Sequence, residues 1–281
     1  MNVNSGLTSR ALGDVRAVCG SVSPASAALW LASLVARLPA CVRARSLSPA
    51  DRVWARGGAT FRTANGAPVS LLPPQVLGAR EMYCRNVYLR TGLTMPDDGW
   101  VVDLGANRGL FSVWAAVSGA RAVAVEAQQG FVPLIEALAE HNGVRDRVHV
   151  EVAMVGGTRT SGSRVGVLSD DQRWSASSHG APDRPADVSV PQLMAARGIG
   201  HISLLKMDIE GGEFAVMAPD EDLLWLERVR QLAMEVHPAF GDAPRLIERL
   251  REKGFRVDLC DNDGRPSVGT SPHLAYAYCS R

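Results

Sequence analysis

Only two lysines, Lys206 and Lys253, occur among the 30 basic residues of this 281-residue chain, and aromatic residues make up just 6% of it. An RNA-binding surface interleaves basic and aromatic side chains, so the composition speaks against a nucleic-acid partner. The five cysteines, Cys19, Cys41, Cys84, Cys260 and Cys279, are scattered, odd in number and without a CxxC pair. Such spacing builds neither a disulfide framework nor a zinc site, and a reducing cytoplasm is the expected compartment. Long apolar runs are also missing. Near the start the longest, Ala25 to Leu38, is interrupted by Ser26, Ser33 and Arg37 and is too short for a bilayer span. It also lies too far into the chain for a signal peptide. No membrane association is expected.

What is present, 46% hydrophobic and 21% charged residues, suffices to bury a sizeable core. Charge is unevenly spread. Residues 1–90 hold eleven arginines, no lysine and three acids (Asp14, Asp51, Glu81), whereas the rest of the chain is net acidic. The first segment can therefore face an anionic partner, or its arginines are solvated helix faces.

Two segments follow from the patterning. Residues 1–97 read as a cap: a helix over 24–38 capped by Ser23, with Leu29, Trp30, Leu34 and Leu38 on one face, and strands at Thr60 to Thr63 and Pro68 to Leu72 around Asn65-Gly66. Pro73-Pro74 closes this hairpin, and Ala79 to Leu89 looks helical. Residues 98–281 alternate strand, turn and helix, which predicts βαβ units and a parallel sheet. Strands are expected at Trp100 to Leu104, Ala122 to Glu126, Val148 to Val152, Ile202 to Met207 and Gln231 to His237, then at Phe255 to Cys260 and Leu274 to Cys279. The last two are joined only by a turn region and must pair antiparallel. Gly156 to Pro185, rich in Gly, Ser, Asp and Pro, reads as a long loop. The fold class is thus α/β with a mostly parallel seven-stranded sheet, a C-terminal antiparallel hairpin and an N-terminal helical and hairpin cap.

Chemistry concentrates at the expected strand ends. In Val101-Val102-Asp103-Leu104-Gly105-Ala106-Asn107-Arg108-Gly109 an apolar strand ends in a turn where Gly105 and Gly109 allow a close backbone approach to a ligand. Asn107 replaces the middle glycine of a dinucleotide fingerprint, which suits a methionine tail, with Asp103 facing its ammonium, better than a pyrophosphate. Glu126 closes the second strand, placed to accept both hydroxyls of a ribose. After the third strand no acid follows Met154, so an adenine would rest on Met154 and be read by backbone groups. The fourth strand runs into Lys206-Met207-Asp208-Ile209-Glu210-Gly211-Gly212-Glu213 and the fifth into Met234-Glu235-Val236-His237, where period two puts Glu235 and His237 on one side.

Through these blocks, over residues 80 to 260, the chain resembles the FkbM family of methyltransferases. The resemblance implies a Rossmann-like class I methyltransferase fold and S-adenosylmethionine as donor. It further implies O-methylation of natural products, sugars or related metabolites. By it, Asp103, Gly105, Asn107 and Glu126 hold the cofactor, and Asp208, Glu210 and His237 border the acceptor.

An alcohol acceptor must lose its proton, and His237 is the first candidate for the base, beside Asp208. The alternative is a divalent metal held by Asp208, Glu235 and His237. N-methylation is disfavoured because no N/D-P-P-Y sequence follows the fourth strand. A non-catalytic nucleotide-binding module would retain the cofactor without turnover. The expected partner is a small-molecule acceptor, with an anionic or carrier-bound acceptor and a homodimer left open. The N-terminal 80 residues, with the helix around Trp30 and the hairpin around Asn65-Gly66, are expected to form a lid over the acceptor site and to contribute little to cofactor binding.

Overall fold

The computed structural model describes residues 3–157, 187–218 and 221–281. Most of the loop expected from Gly156 to Pro185 lies outside the described residues. The cap comprises helices α1 (Val3–Ser21), α2 (Pro24–Ala36), α3 (Leu38–Ala44) and α4 (Ser48–Asp51), and an antiparallel pair, β1 (Ala59–Arg62) and β2 (Pro68–Leu71). Ala79 to Leu89 is not one helix. Only Arg80–Cys84 forms a π-helical turn, and Asn86 takes a left-handed φ of 48° that ends it.

The remaining chain contributes β3 (Trp100–Leu104), α5 (Leu110–Val117), β4 (Arg121–Glu126), α6 (Val132–His141), β5 (Val148–Val152), a short parallel pair β6 (Val155–Gly156) and β7 (Val188–Ser189), and α7 (Val190–Ala196). Then come β8 (Leu204–Met207), α8 (Glu213–Val216), β9 (Gln231–Glu235), α9 (Ala243–Glu252), β10 (Arg256–Asp261) and β11 (Leu274–Ser280). The helix expected at Asp222 to Arg228 is a 3-10 segment, Leu224–Arg228.

The central sheet has the order β10-β11-β9-β8-β3-β4-β5, with β11 antiparallel to both neighbours and the other pairings parallel. This is the class I methyltransferase arrangement. The order reverses between β3 and β8, and ligands of open α/β sheets bind in the crevice outside the strand ends at such a point.

The cap shares its core with one face of the sheet. Trp30, Trp54, Phe61, Val69 and Tyr83 pack with Phe111, Trp114, Ile135 and Leu138 of α5 and α6. The sparse aromatics form one continuous run, Trp30, Trp54, Phe61, Tyr83, Trp114, Phe111, Tyr88, Tyr276 and Tyr278, with successive ring centroids 5.0 to 6.1 Å apart. It contains all four tyrosines. A buried ion cluster locks the cap further. Arg80 meets Asp14 of α1 at 2.6 Å and Asp51 of α4 at 3.1 Å, while Trp30 Nε1 donates to Asp51 at 2.8 Å.

Ser23 caps α2 as expected, its hydroxyl accepting the Ser26 N–H at 3.2 Å. The inward face is different. Trp30, tied to Asp51 and stacked on Trp54, turns Ala27 inward, and Leu29 is left 60% exposed. Leu38 belongs to the next helix, beyond a 75° bend, and is also exposed. Among the described residues no single helix is long and apolar enough to cross a membrane.

Candidate active site

A cavity of about 300 Å³ opens at the β3/β8 reversal. One wall is the turn after β3, Gly105 to Arg108; another is Lys206, Asp208 and Glu235 at the ends of β8 and β9. The cap closes it with Leu77, Gly78, Met82 and Tyr88. Of the 80 residues expected as a lid only Leu77 and Gly78 line it; the Trp30 helix and the Asn65-Gly66 hairpin do not, and the cap reaches the cavity through residues 77–88, with α1 and α4 behind them through Asp14, Asp51 and Arg80.

The turn is shaped by close approach. Gly105 has φ +76°, and a Cβ there would lie 1.8 Å from the Asp208 carbonyl oxygen, so this position must be glycine. Gly109 serves packing instead of the cofactor: a Cβ would lie 2.9 Å from Ile135 of α6. Asn107 takes a left-handed φ of 51°, which aims its N–H at Glu126 Oε2 at 2.8 Å.

Asp103 does not reach the cavity. It is fully buried, accepts the Ser112 hydroxyl at 2.7 Å, and lies 3.1 Å from Lys206 Nζ. Facing a cofactor ammonium is therefore not its role; it anchors Lys206. That lysine donates to the Gly105 carbonyl at 2.7 Å and stands 3.8 Å from Asp208. Burial works against its charge, but Asp103 and Asp208 outweigh it and raise its pKa.

Glu126 is 2% exposed and accepts N–H groups from both Asn107 and Gln128. Burial raises its pKa, and these two donors oppose that. Each carboxylate oxygen retains a second lone pair for a ribose hydroxyl. Met154 is buried, and its backbone is already used: its N–H donates to Asp187 Oδ2 at 2.9 Å and its carbonyl accepts the Asp187 N–H at 2.8 Å. Met154 thus has no free backbone group to read an adenine. A carboxylate does stand at the end of β5, that of Asp187, 33 residues downstream of Met154.

At the acceptor end, the Tyr88 hydroxyl lies 2.7 Å from Asp208 Oδ2 and 3.1 Å from Glu235 Oε2, tying the two carboxylates together. Burial, and then the charge of Asp208, push Glu235 up to about 8. Glu210, at φ +52°, reaches His237 Nε2 at 3.3 Å, while Glu213 holds His237 Nδ1 at 3.0 Å and its backbone N–H at 2.8 Å. Burial alone would lower the imidazole pKa; Glu213, Glu210 and Glu235 together raise it to about 9. His237 is therefore a protonated partner of carboxylates at neutral pH, with both ring nitrogens engaged, and not the free base expected from its position.

Asp208, Glu210, Glu235 and His237 are brought together as the sequence implied. Tyr88, Lys206 and Glu213 were missed. Lys206 carried a signal, a lone lysine inside an apolar strand of an arginine-rich chain; Tyr88, 120 residues from Asp208, carried none.

A family model described as the methyltransferase FkbM domain matches residues 103–257. The chain belongs to the FkbM family of S-adenosylmethionine-dependent methyltransferases. This FkbM-family chain is 28% identical over 235 residues to the 31-O-demethyl-FK506 methyltransferase FkbM of Streptomyces tacrolimicus, covering 70% of this chain and 89% of that one. It is also 28% identical over 229 residues to the AMB antimetabolite synthetase AmbE of Pseudomonas aeruginosa, covering 64% of this chain but only 10% of AmbE. Among solved structures, the TrmK of M. capricolum bound to S-adenosyl-homocysteine aligns with a TM-score of 0.39 at 7% identity, over 66% of this chain and 64% of that one. The precorrin-6y C5,15-methyltransferase of Geobacter metallireducens aligns with a TM-score of 0.38 at 11% identity, over 66% and 80%. The Gly105 to Arg108 turn lining the cavity and the buried acid Glu126 behind it fit S-adenosylmethionine.

Proposed function

We propose that this FkbM-family enzyme methylates a hydroxyl group of a small-molecule acceptor. The observation that carries the reading is the pair Asp208 and Glu235, bridged by Tyr88, lining the cavity beside the Gly105 turn. S-adenosylmethionine supplies the methyl group. Gly105, Ala106, Asn107 and Glu126 would hold it; the acceptor oxygen would lie over Asp208. Asp208 would then accept the hydroxyl proton, its carboxylate held in place beforehand by the Tyr88 hydroxyl. Most of the rate would come from positioning in a cavity the cap closes against water. The 31-O name of the FkbM relative supports oxygen as the methylated atom.

Asp208→Asn tests the reading. Turnover should fall by about 10²–10⁴-fold, the scale of a lost general base, with S-adenosylmethionine affinity retained in calorimetry. Undiminished turnover refutes it.

One observation favours a second reading. Donor atoms of Asp208, Glu235 and His237 all lie within 4.8 Å of one another, a spacing that a divalent cation can bridge. Such an ion would relieve the repulsion between the two carboxylates and acidify the acceptor hydroxyl directly.

A further inference from the structure

The α2–α3 pair presents an apolar surface that no other described part of the chain covers. Leu29 is 60%, Val35 75%, Leu38 54% and Val42 69% exposed, with Leu31 between them. Every residue exposed from Pro24 to Val42 is apolar; Arg37 is half-buried, and Ser33 spends its hydroxyl on the Ala50 carbonyl at 3.0 Å. Yet the opposite side of α2 is also apolar, since Ala27 and Trp30 sit in the core. A helix apolar on all sides is covered on all sides when it functions.

Charge narrows the occupant. No acid occurs between Asp14 and Asp51, and both of those are buried against Arg80. Exposed Arg43 and Arg45 lie at the far end of the apolar stretch. A second copy docked on this face by a two-fold axis would offer Arg43 and Arg45 no acid to meet, since residues 15–50 contain none. A protein partner would find no exposed hydrogen-bonding side chain over α2, although protein interfaces carry about one hydrogen bond per 100–200 Å². Hydrocarbon asks for none, and lipid phosphates accept from arginine.

We propose that α2 and α3 form an interfacial anchor that lays Leu29, Val35, Leu38 and Val42 into the surface of an anionic membrane, with Arg43 and Arg45 on its phosphates. With a 75° bend between them, helices of 13 and 7 residues are each too short to cross a bilayer and suit lying along its surface. An anchored enzyme would meet acceptors that partition into the lipid.

Co-sedimentation of the full chain with sucrose-loaded vesicles tests this. Vesicles of phosphatidylcholine mixed with phosphatidylglycerol should carry the protein down, and phosphatidylcholine alone should carry much less. Leu29→Ser, Val35→Ser and Val42→Ser combined should lower binding by at least about tenfold, and Arg43→Ala with Arg45→Ala should remove the preference for anionic lipid and its salt dependence. All these side chains are exposed, and retained S-adenosylmethionine binding verifies that the variants fold. No binding to anionic vesicles at low salt overturns the proposal, as does binding that the triple serine variant leaves unchanged. A concentration-dependent dimer abolished by the same serines, without vesicle binding, also overturns it and assigns the face to a second copy.

Discussion

Replacing Lys206 by Met tests how the site is held. The Lys206 side chain is 4% exposed and Asp103 is fully buried, so their 3.1 Å pairing is shielded from water. At an effective dielectric of about 20 the attraction is roughly 5 kcal/mol. Met fills the aliphatic volume but leaves Asp103 with only the Ser112 hydroxyl, and the Gly105 carbonyl without its donor. Breaking a buried pair by removing one partner costs about 3–5 kcal/mol, whereas replacing both by neutral groups costs far less. Urea unfolding should therefore show Lys206→Met less stable by about 3–5 kcal/mol at unchanged m-value. Adding Asp103→Asn should restore at least about 2 kcal/mol of that. A single variant within about 1 kcal/mol of the parent, or a double variant as unstable as the sum of the singles, would refute the reasoning.

Glu126→Ala should weaken S-adenosylmethionine binding by about 1.5–3 kcal/mol in calorimetry, because hydrogen bonds to a charged group are lost; unchanged affinity in a folded protein removes Glu126 from the site. Tyr88→Phe keeps the ring packing but deletes the bridge at 2.7 and 3.1 Å, so the pH–rate profile should shift while S-adenosylmethionine affinity holds; an unmoved profile rejects the bridge. Glu235 and His237 both have folded pKa values raised above the unfolded ones, to about 8 and about 9. Their contribution is complete at low pH; that of Glu235 is lost between about pH 4.5 and 8 and that of His237 between about 6.5 and 9, so in the presence of chelator the melting temperature should fall from about pH 4.5 to 9, most steeply between about 6.5 and 8. A flat profile there, or one that His237→Gln leaves equally steep, contradicts the cluster. Finally, if Asp208 works without metal, chelation leaves turnover intact; activity lost to chelator and restored by Mg²⁺ or Mn²⁺ moves Asp208, Glu235 and His237 into ligation.

Local chemistry makes the fold class legible in the amino-acid sequence. Apolar runs ending at Leu104, Glu126 and Met207, each followed by a turn or an acid, specify parallel strands and the positions of their ends, because period and turn residues act over a few neighbours. The parallel strands and the final antiparallel hairpin follow from that alternation, and Asp208, Glu235 and His237 fall at the ends of neighbouring strands; the order of the sheet is set by how the helices pack.

Tertiary packing decided the rest. Whether Asp103 meets a ligand or a lysine depends on what β8 places beside it, and the 3.1 Å contact with Lys206 joins residues a hundred positions apart. His237 looks like a base in isolation and becomes a cation only because Glu210 and Glu213 close around it. Tyr88 reaches the carboxylates because the aromatic run from Trp30 to Tyr278 packs the cap against the sheet. Sequence periodicity says which side of an element is apolar; it does not say which neighbour arrives to cover it. On α2 none among the described residues does, since Trp30, held by Asp51, turns Leu29 and Val35 away from the core.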